Sequence, residues 1–168
     1  TSFVSGMPVR SVFFAIKPRP ANAKGPLSLT IIGGSLGAAV FAELVPAALA
    51  TLVEPLRARL SIVQQCRAEQ IDALRQTYAA LGMDAEVAAF FTDMPDRLAA
   101  SDLVIARAGA STVAELAAAG RPALLVPFAS AMDDHQTANA RQLEAAGGGQ
   151  CLVEADLDAA RLGGAIAK

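Results

Sequence analysis

The segment Arg107-Ala108-Gly109-Ala110-Ser111-Thr112-Val113-Ala114-Glu115 combines the residue types that can hold a phosphorylated sugar. It follows a short apolar run, Asp102-Leu103-Val104-Ile105, and opens a helical pattern that runs from Val113 to Ala119. A loop of small residues between a strand and a helix leaves backbone N–H groups open to an anion, and the helix dipole adds positive potential at the same point. Glu115 follows about one turn later, where its carboxylate can accept two hydrogen bonds from a sugar diol. Phosphate beside ribose is what a nucleotide presents. The same letters carry a second meaning: Thr112-Val113-Ala114-Glu115 also fits a capping box, with Glu115 folded back on the cap N–H.

Other loops offer related chemistry. Gly33-Gly34-Ser35-Leu36-Gly37-Ala38 closes an apolar run, and its glycines allow close approach of a ligand to backbone amides. Ser35 can give its hydroxyl to a phosphate or cap the next helix. This loop lacks the third glycine of a dinucleotide fingerprint and the lysine of a P-loop. Asp133-Asp134-His135-Gln136 precedes a helical stretch, where acidic capping is the plain reading. Gln136 and Asn139 stand one turn apart and can address sugar hydroxyls together. Arg10 and Arg107 are cations able to stack on a base or pair with phosphate, or simply to face solvent. No Ser-His-Asp set, Cys-His pair or metal-ligand cluster is present, so the chemistry on offer is binding.

The elements that position these loops alternate regularly. Strand-like runs at 27–32, 61–65, 85–91, 102–105, 123–126 and 150–153 are separated by helical stretches at 38–53, 69–81, 95–100, 112–119, 134–146 and 156–166. Uniformly apolar strands alternating with helices predict an α/β fold, a doubly wound parallel sheet covered on both faces. Its ligand belongs at the carboxyl ends of the strands, near the switch in strand order. Residues 1–26, with Pro8, Pro18, Pro20 and Pro26, read as an interdomain connector without regular structure, and residues 27–168 as the ligand-binding domain.

Composition narrows the classes. The chain has 168 residues, 54% of them hydrophobic, and a net charge of -2, which suits a single domain with its own core. No basic stripe or aromatic interleaving favours nucleic acid. Cys66 and Cys151 lack metal-ligand spacing and suggest a reduced, cytoplasmic setting. The most apolar region, 27–56, is broken by Gly33, Gly34, Gly37, Glu43, Pro46 and Glu54, so a membrane span is not expected. A first residue of Thr1 rather than Met suggests a piece of something longer.

Taken together, several segments resemble the C-terminal half of glycosyltransferase family 28, in its peptidoglycan N-acetylglucosaminyltransferase branch. They are Gly6-Met7-Pro8-Val9-Arg10, the 33–38 and 107–115 loops, Phe90-Phe91-Thr92-Asp93-Met94, Ala118-Ala119-Gly120-Arg121-Pro122-Ala123, and Val126-Pro127-Phe128 with Asp134-His135-Gln136 and Asn139-Ala140. The resemblance implies the Rossmann-like C-terminal half of a two-domain GT-B enzyme that inverts the anomeric centre without an obligatory metal or other cofactor. The donor would be UDP-N-acetylglucosamine, the acceptor lipid I and the product lipid II. By the family pattern Glu115 would bind the ribose, while Ser35, Ser111 and Thr112 would contact the diphosphate. The Phe91 backbone would meet uracil with Arg10 near the base, and the Ala110 backbone, Gln136 and Asn139 would address the sugar. Met7 and Leu36 replace the family's usual Asn and Gln.

The family's N-terminal acceptor domain, which engages lipid I, is absent from the sequence, as is the C-terminal return segment. No catalytic residue is therefore expected in this chain, which as written should bind donor without transferring it. The full-length enzyme would be peripheral on the cytoplasmic face of the inner membrane. The alternatives are a stand-alone UDP-sugar-binding subunit of a split glycosyltransferase and a nicotinamide-dependent oxidoreductase. The latter lacks both the glycine fingerprint and the acidic residue after a second strand.

Overall fold

The computed structural model describes residues 6–18, 25–34, 39–128 and 134–168. Its centre is a six-stranded sheet of β1 (Leu27–Ile32), β2 (Leu60–Gln65), β3 (Ala85–Ala88), β4 (Leu103–Ala106), β5 (Ala123–Leu125) and β6 (Gly149–Cys151), in the order β3-β2-β1-β4-β5-β6. All pairings are parallel. Strand order reverses between β1 and β4, which makes their carboxyl ends the switch point.

Side chains alternate across the sheet, as the pleat requires. Leu29, Ile31, Ile62 and Ile105 enter one buried cluster, while Ile32, Val104, Ala106 and Leu125 enter the other. The first is covered by α2 (Ala39–Ala50), α4 (Ile71–Ala80) and α8 (Ala159–Ile166). The second is covered by α5 (Met94–Ala100), α6 (Ala110–Ala119) and α7 (His135–Ala145). Register at the centre is fixed by a reciprocal pair. The Ser28 amide donates to the Asp102 carboxylate at 2.8 Å, and the Asp102 amide donates to the Ser28 carbonyl at 2.9 Å. Thr30 and Ser101 share a buried hydroxyl contact of 2.6 Å beside it.

Several boundaries differ from the sequence reading, three of them in ways that bear on the site. The segment expected to lack regular structure contains a short helix, α1 (Ser11–Phe14), packed on α6, with Phe13 fully buried. Burying one such ring contributes roughly 1.5–3 kcal/mol, enough to fold a proline-flanked turn onto the domain. The expected 38–53 helix stops at Ala50, and a separate turn, α3 (Glu54–Arg57), follows with its proline in the first turn. β3 ends at Ala88 rather than 91, because the next carbonyl, that of Ala89, is taken by the Gln65 side chain. Phe90 and Phe91 therefore lie in a loop.

Candidate functional site

The β4–α6 loop gathers open backbone donors at the edge of the sheet. α6 begins at Ala110, with Gly109 as its cap residue in an extended conformation and no side chain capping it. Among the described residues, nothing accepts from the amides of Ala110, Ser111 or Thr112. These are the orphan donors of a helix start, gathered at its positive end. The helix closes at Gly120, whose φ of 60° makes a left-handed cap. Because α6 starts before Thr112, Glu115 sits in the second turn, about 7.5 Å along the axis from Ala110. The capping-box alternative is thereby excluded.

Gly33 and Gly34 end β1 on the other side of the switch point, and Gly34 adopts a φ of 75° that favours glycine. Both glycines and Gly109–Thr112 line one cavity of about 620 Å³. Gln136 and Phe128 form another part of its wall. Gln136 Oε1 accepts from the Phe128 amide at 3.0 Å, tying the start of α7 to the end of β5. Asp134 caps α7 as expected by position, with a φ of 52° and no side-chain bond to the helix.

Arg107 neither faces solvent nor points freely at a ligand. Its guanidinium meets Glu154 at 2.6 Å and the carbonyls of Val126 and Pro127 at 3.2 and 3.3 Å. The rings of Phe41 and Phe128 flank it at 5.1 and 5.3 Å. A charge so compensated builds the cavity wall and joins the ends of β4, β5 and β6. Glu154 and Arg67, which also line the cavity, went unnoticed in the sequence. Their signal is positional: Arg67 lies two residues beyond β2 and Glu154 three beyond β6, at the ligand-binding edge of a parallel sheet.

The remaining expected residues, Arg10, Glu115, Asn139 and Phe91, do not line this cavity, and Asn139 lines a separate one beside Met7. Arg10 and Glu115 come together at 3.7 Å, and the Arg10 guanidinium also covers the Phe13 ring at 4.8 Å. Burial pushes the Glu115 carboxyl up from its usual range, with Arg10 opposing the shift. Asn139 Nδ2 donates to the Ala108 carbonyl at 3.0 Å, so this side chain braces the β4–α6 loop from α7. Phe91 follows β3 at the same edge of the sheet, its ring buried. Ser35 lies outside the described residues. Among the described residues, no three His, Cys, Asp or Glu side chains are grouped to hold a metal ion, and no helix is long and apolar enough to cross a membrane.

A doubly wound sheet with a helix N-terminus and a glycine-rich strand end meeting at its switch point is a Rossmann-like domain, the fold of the C-terminal half of GT-B glycosyltransferases. Residues 28–168 match the glycosyltransferase family 28 C-terminal domain, and the chain belongs to that family. It is 53% identical over 161 residues, covering 94% of itself and 42% of the relative, to a UDP-N-acetylglucosamine–N-acetylmuramyl-(pentapeptide) pyrophosphoryl-undecaprenol N-acetylglucosamine transferase of Rhodospirillum centenum. A protein of the same name from Rhodospirillum rubrum is 56% identical over 157 residues, covering 92% of this chain and 41% of that one. The crystal structure of Acinetobacter baumannii MurG superposes with a TM-score of 0.78 at 38% identity, over 87% of this chain and 42% of the other. The chain thus spans about two-fifths of the length of the relatives it matches.

Proposed function

We propose that this chain is the donor-binding domain of an inverting transferase that moves N-acetylglucosamine from UDP-N-acetylglucosamine to lipid I, giving lipid II. The observation that carries the reading is the meeting of the β1 turn and the unpartnered α6 N-terminus in one cavity at the switch point. The names of the family 28 relatives support the choice of donor and acceptor.

In this reading the Ala110, Ser111 and Thr112 amides and the 33–35 turn, with Ser35, take the diphosphate. Glu115 accepts from the ribose hydroxyls, and Arg10 screens it from the base side. The Phe91 backbone meets uracil. Gln136 and the Ala110 backbone face the sugar, and Asn139 keeps the loop in place. As the glycosidic bond to the departing UDP breaks, negative charge grows on the β-phosphate. Preorganised amides and a helix dipole stabilise that charge without a metal ion. The base that activates the acceptor hydroxyl lies outside this chain, on an acceptor-binding domain. The complete enzyme works at the cytoplasmic face of the membrane.

Isothermal titration of the 168-residue chain with UDP and UDP-N-acetylglucosamine tests the reading. Saturable binding with EDTA present is expected. A folded sample that takes up neither ligand at millimolar concentration overturns it.

A further inference from the structure

The loop between β3 and α5 is held at both ends and left open in the middle. Gln65 Nε2 donates to the Ala89 carbonyl at 3.1 Å, which fixes the start. At the other end the Asp93 carbonyl accepts from the amides of Asp96 and Arg97 at 3.0 and 3.1 Å. Among the described residues, the backbone groups of Phe90, Phe91 and Thr92 make no hydrogen bond. Three consecutive residues thus offer both amide donors and carbonyl acceptors.

Arg97 is what keeps this open stretch in shape. Its guanidinium lies 3.9 Å from the centroid of the Phe91 ring. Its Nε donates to the Asp93 carboxylate at 2.8 Å, and its two terminal nitrogens grip Glu86 at 2.7 and 2.8 Å. The fork is bidentate and stacked, the geometry in which arginine has no equivalent substitute. Hydrogen bonds from Arg97 hold the Glu86 and Asp93 carboxyls below their usual range. The side chain is only 16% exposed although both partners reach solvent, so the fork is packed rather than fraying.

Location gives the clamp a use. β3 stands two strands from β1, which places the loop roughly 10 Å from the switch point along the sheet edge. A nucleoside extends in that plane away from phosphates bound at α6. We infer that Arg97, gripped by Glu86 and Asp93, is a positioning residue that presets the Phe90–Thr92 backbone as a rigid edge for reading the nucleobase. This rests on the donor reading above. An edge ordered N–H, C=O, N–H complements the acceptor–donor–acceptor imide face of a uracil, and in that register it opposes both the amino donor and the ring-nitrogen acceptor of an adenine. Fixing it beforehand removes the ordering cost from binding and lets a mismatch be felt.

Two measurements on the whole chain separate the clamp from the donor reading. Hydrogen exchange on unliganded protein should show the amides of residues 96 and 97, which donate to the Asp93 carbonyl at the loop's end, exchanging about tenfold faster in Arg97→Ala than in wild type. Titration with UDP and ADP, which share ribose and diphosphate, should show UDP weakened about tenfold by Arg97→Ala and ADP nearly unchanged, so that selectivity shrinks. Glu86→Gln, at an exposed strand position, should move both readouts in the same direction by about two- to threefold, and it carries the test if Arg97→Ala does not fold. Unchanged exchange overturns the clamp, with or without ligand. A parallel loss for UDP and ADP, or a wild type that does not distinguish them, overturns its role in base reading. A wild type that binds neither nucleotide overturns the donor reading instead, and the exchange result still decides the clamp.

Discussion

The β4–α6 and β3–α5 loops sit on the same edge of one sheet and are built by opposite means. The first presents bare backbone at a helix start with no capping side chain, while Asn139 braces the Ala108 carbonyl and Arg107 anchors the loop's beginning to Glu154. The second is shaped by charged side chains, with Arg97 gripping two carboxylates and covering a ring. In the proposed reading the contrast follows from what each has to hold. A phosphate is a diffuse charge that any cluster of aimed amides attracts, so helix geometry is enough. A base edge is a directional pattern, and a short irregular loop keeps such a pattern only if something outside the backbone pins it.

The largest expected effect tests the helix side of the contrast. Ser111→Asp places a carboxylate among the open amides of α6. It should weaken UDP by more than about 100-fold, since juxtaposed like charges cost several kcal/mol. The same change should raise unliganded stability by roughly 0.3–1 kcal/mol through the dipole. Calorimetry and thermal unfolding read the two effects, and a variant that still binds UDP normally would break the α6 assignment.

A buried arginine behind the site supplies the opposite case. Arg121 is 4% exposed, and its guanidinium donates to the carbonyls of Leu98 at 2.7 Å, Lys17 at 2.8 Å and Ala99 at 3.1 Å. Arg121→Ala strands those acceptors and should cost about 2–4 kcal/mol of stability, measured by denaturant titration. UDP affinity of the folded variant should stay as in wild type. A loss of affinity at full folding would mean that α5 and α6 are coupled to the site more tightly than the two-loop contrast allows.

In the proposed reading Glu115 connects the two loops by holding the ribose between phosphate and base. Glu115→Ala should weaken UDP by about 1–3 kcal/mol. Its pH response has a defined sign. The folded carboxyl is raised chiefly by burial, so the stability linked to it is full below the ordinary carboxyl range and is lost as pH rises through the raised value. Ligand binding runs the other way, because the diol needs the carboxylate as acceptor. Affinity for UDP-N-acetylglucosamine should fall on acidification before ordinary carboxylates titrate, and Glu115→Gln should flatten that limb. A wild-type profile that matches the Gln variant would remove Glu115 from the ribose.

The smallest effect is a control remote from both loops. Asp158 caps α8 by accepting from the Arg161 amide at 2.8 Å. Asp158→Ala should lower stability by about 1 kcal/mol and leave every nucleotide affinity unchanged. A shift in binding would show that global stability leaks into the other measurements.

The same contrast decides what could be read from the letters. Glycine and small residues at the start of a helical pattern announce open amides, because the backbone itself presents them. The six strands were legible for a similar reason: a sheet buried on both faces needs continuous apolar runs. Arg97 could not be found this way. Its partners Glu86 and Asp93 belong to a strand and a loop, and only the early end of β3 brings them to one guanidinium. α1 was hidden by its prolines, since what folds it is the burial of Phe13 beneath α6 rather than local propensity. Arg107 could be read as a ligand group or as a solvent-facing cation, and neither reading contained Glu154, 47 residues later in sequence, which holds it.

The anchoring of α1 also has a mechanical meaning. Phe13 is sealed against α6, and Arg121, just past the end of that helix, grasps the Lys17 carbonyl. The stretch from Arg10 to Lys17 therefore travels with α6 as a single lever. A tug on the chain ahead of it reaches the open amides at the start of α6 directly, along one helix, without first deforming the sheet.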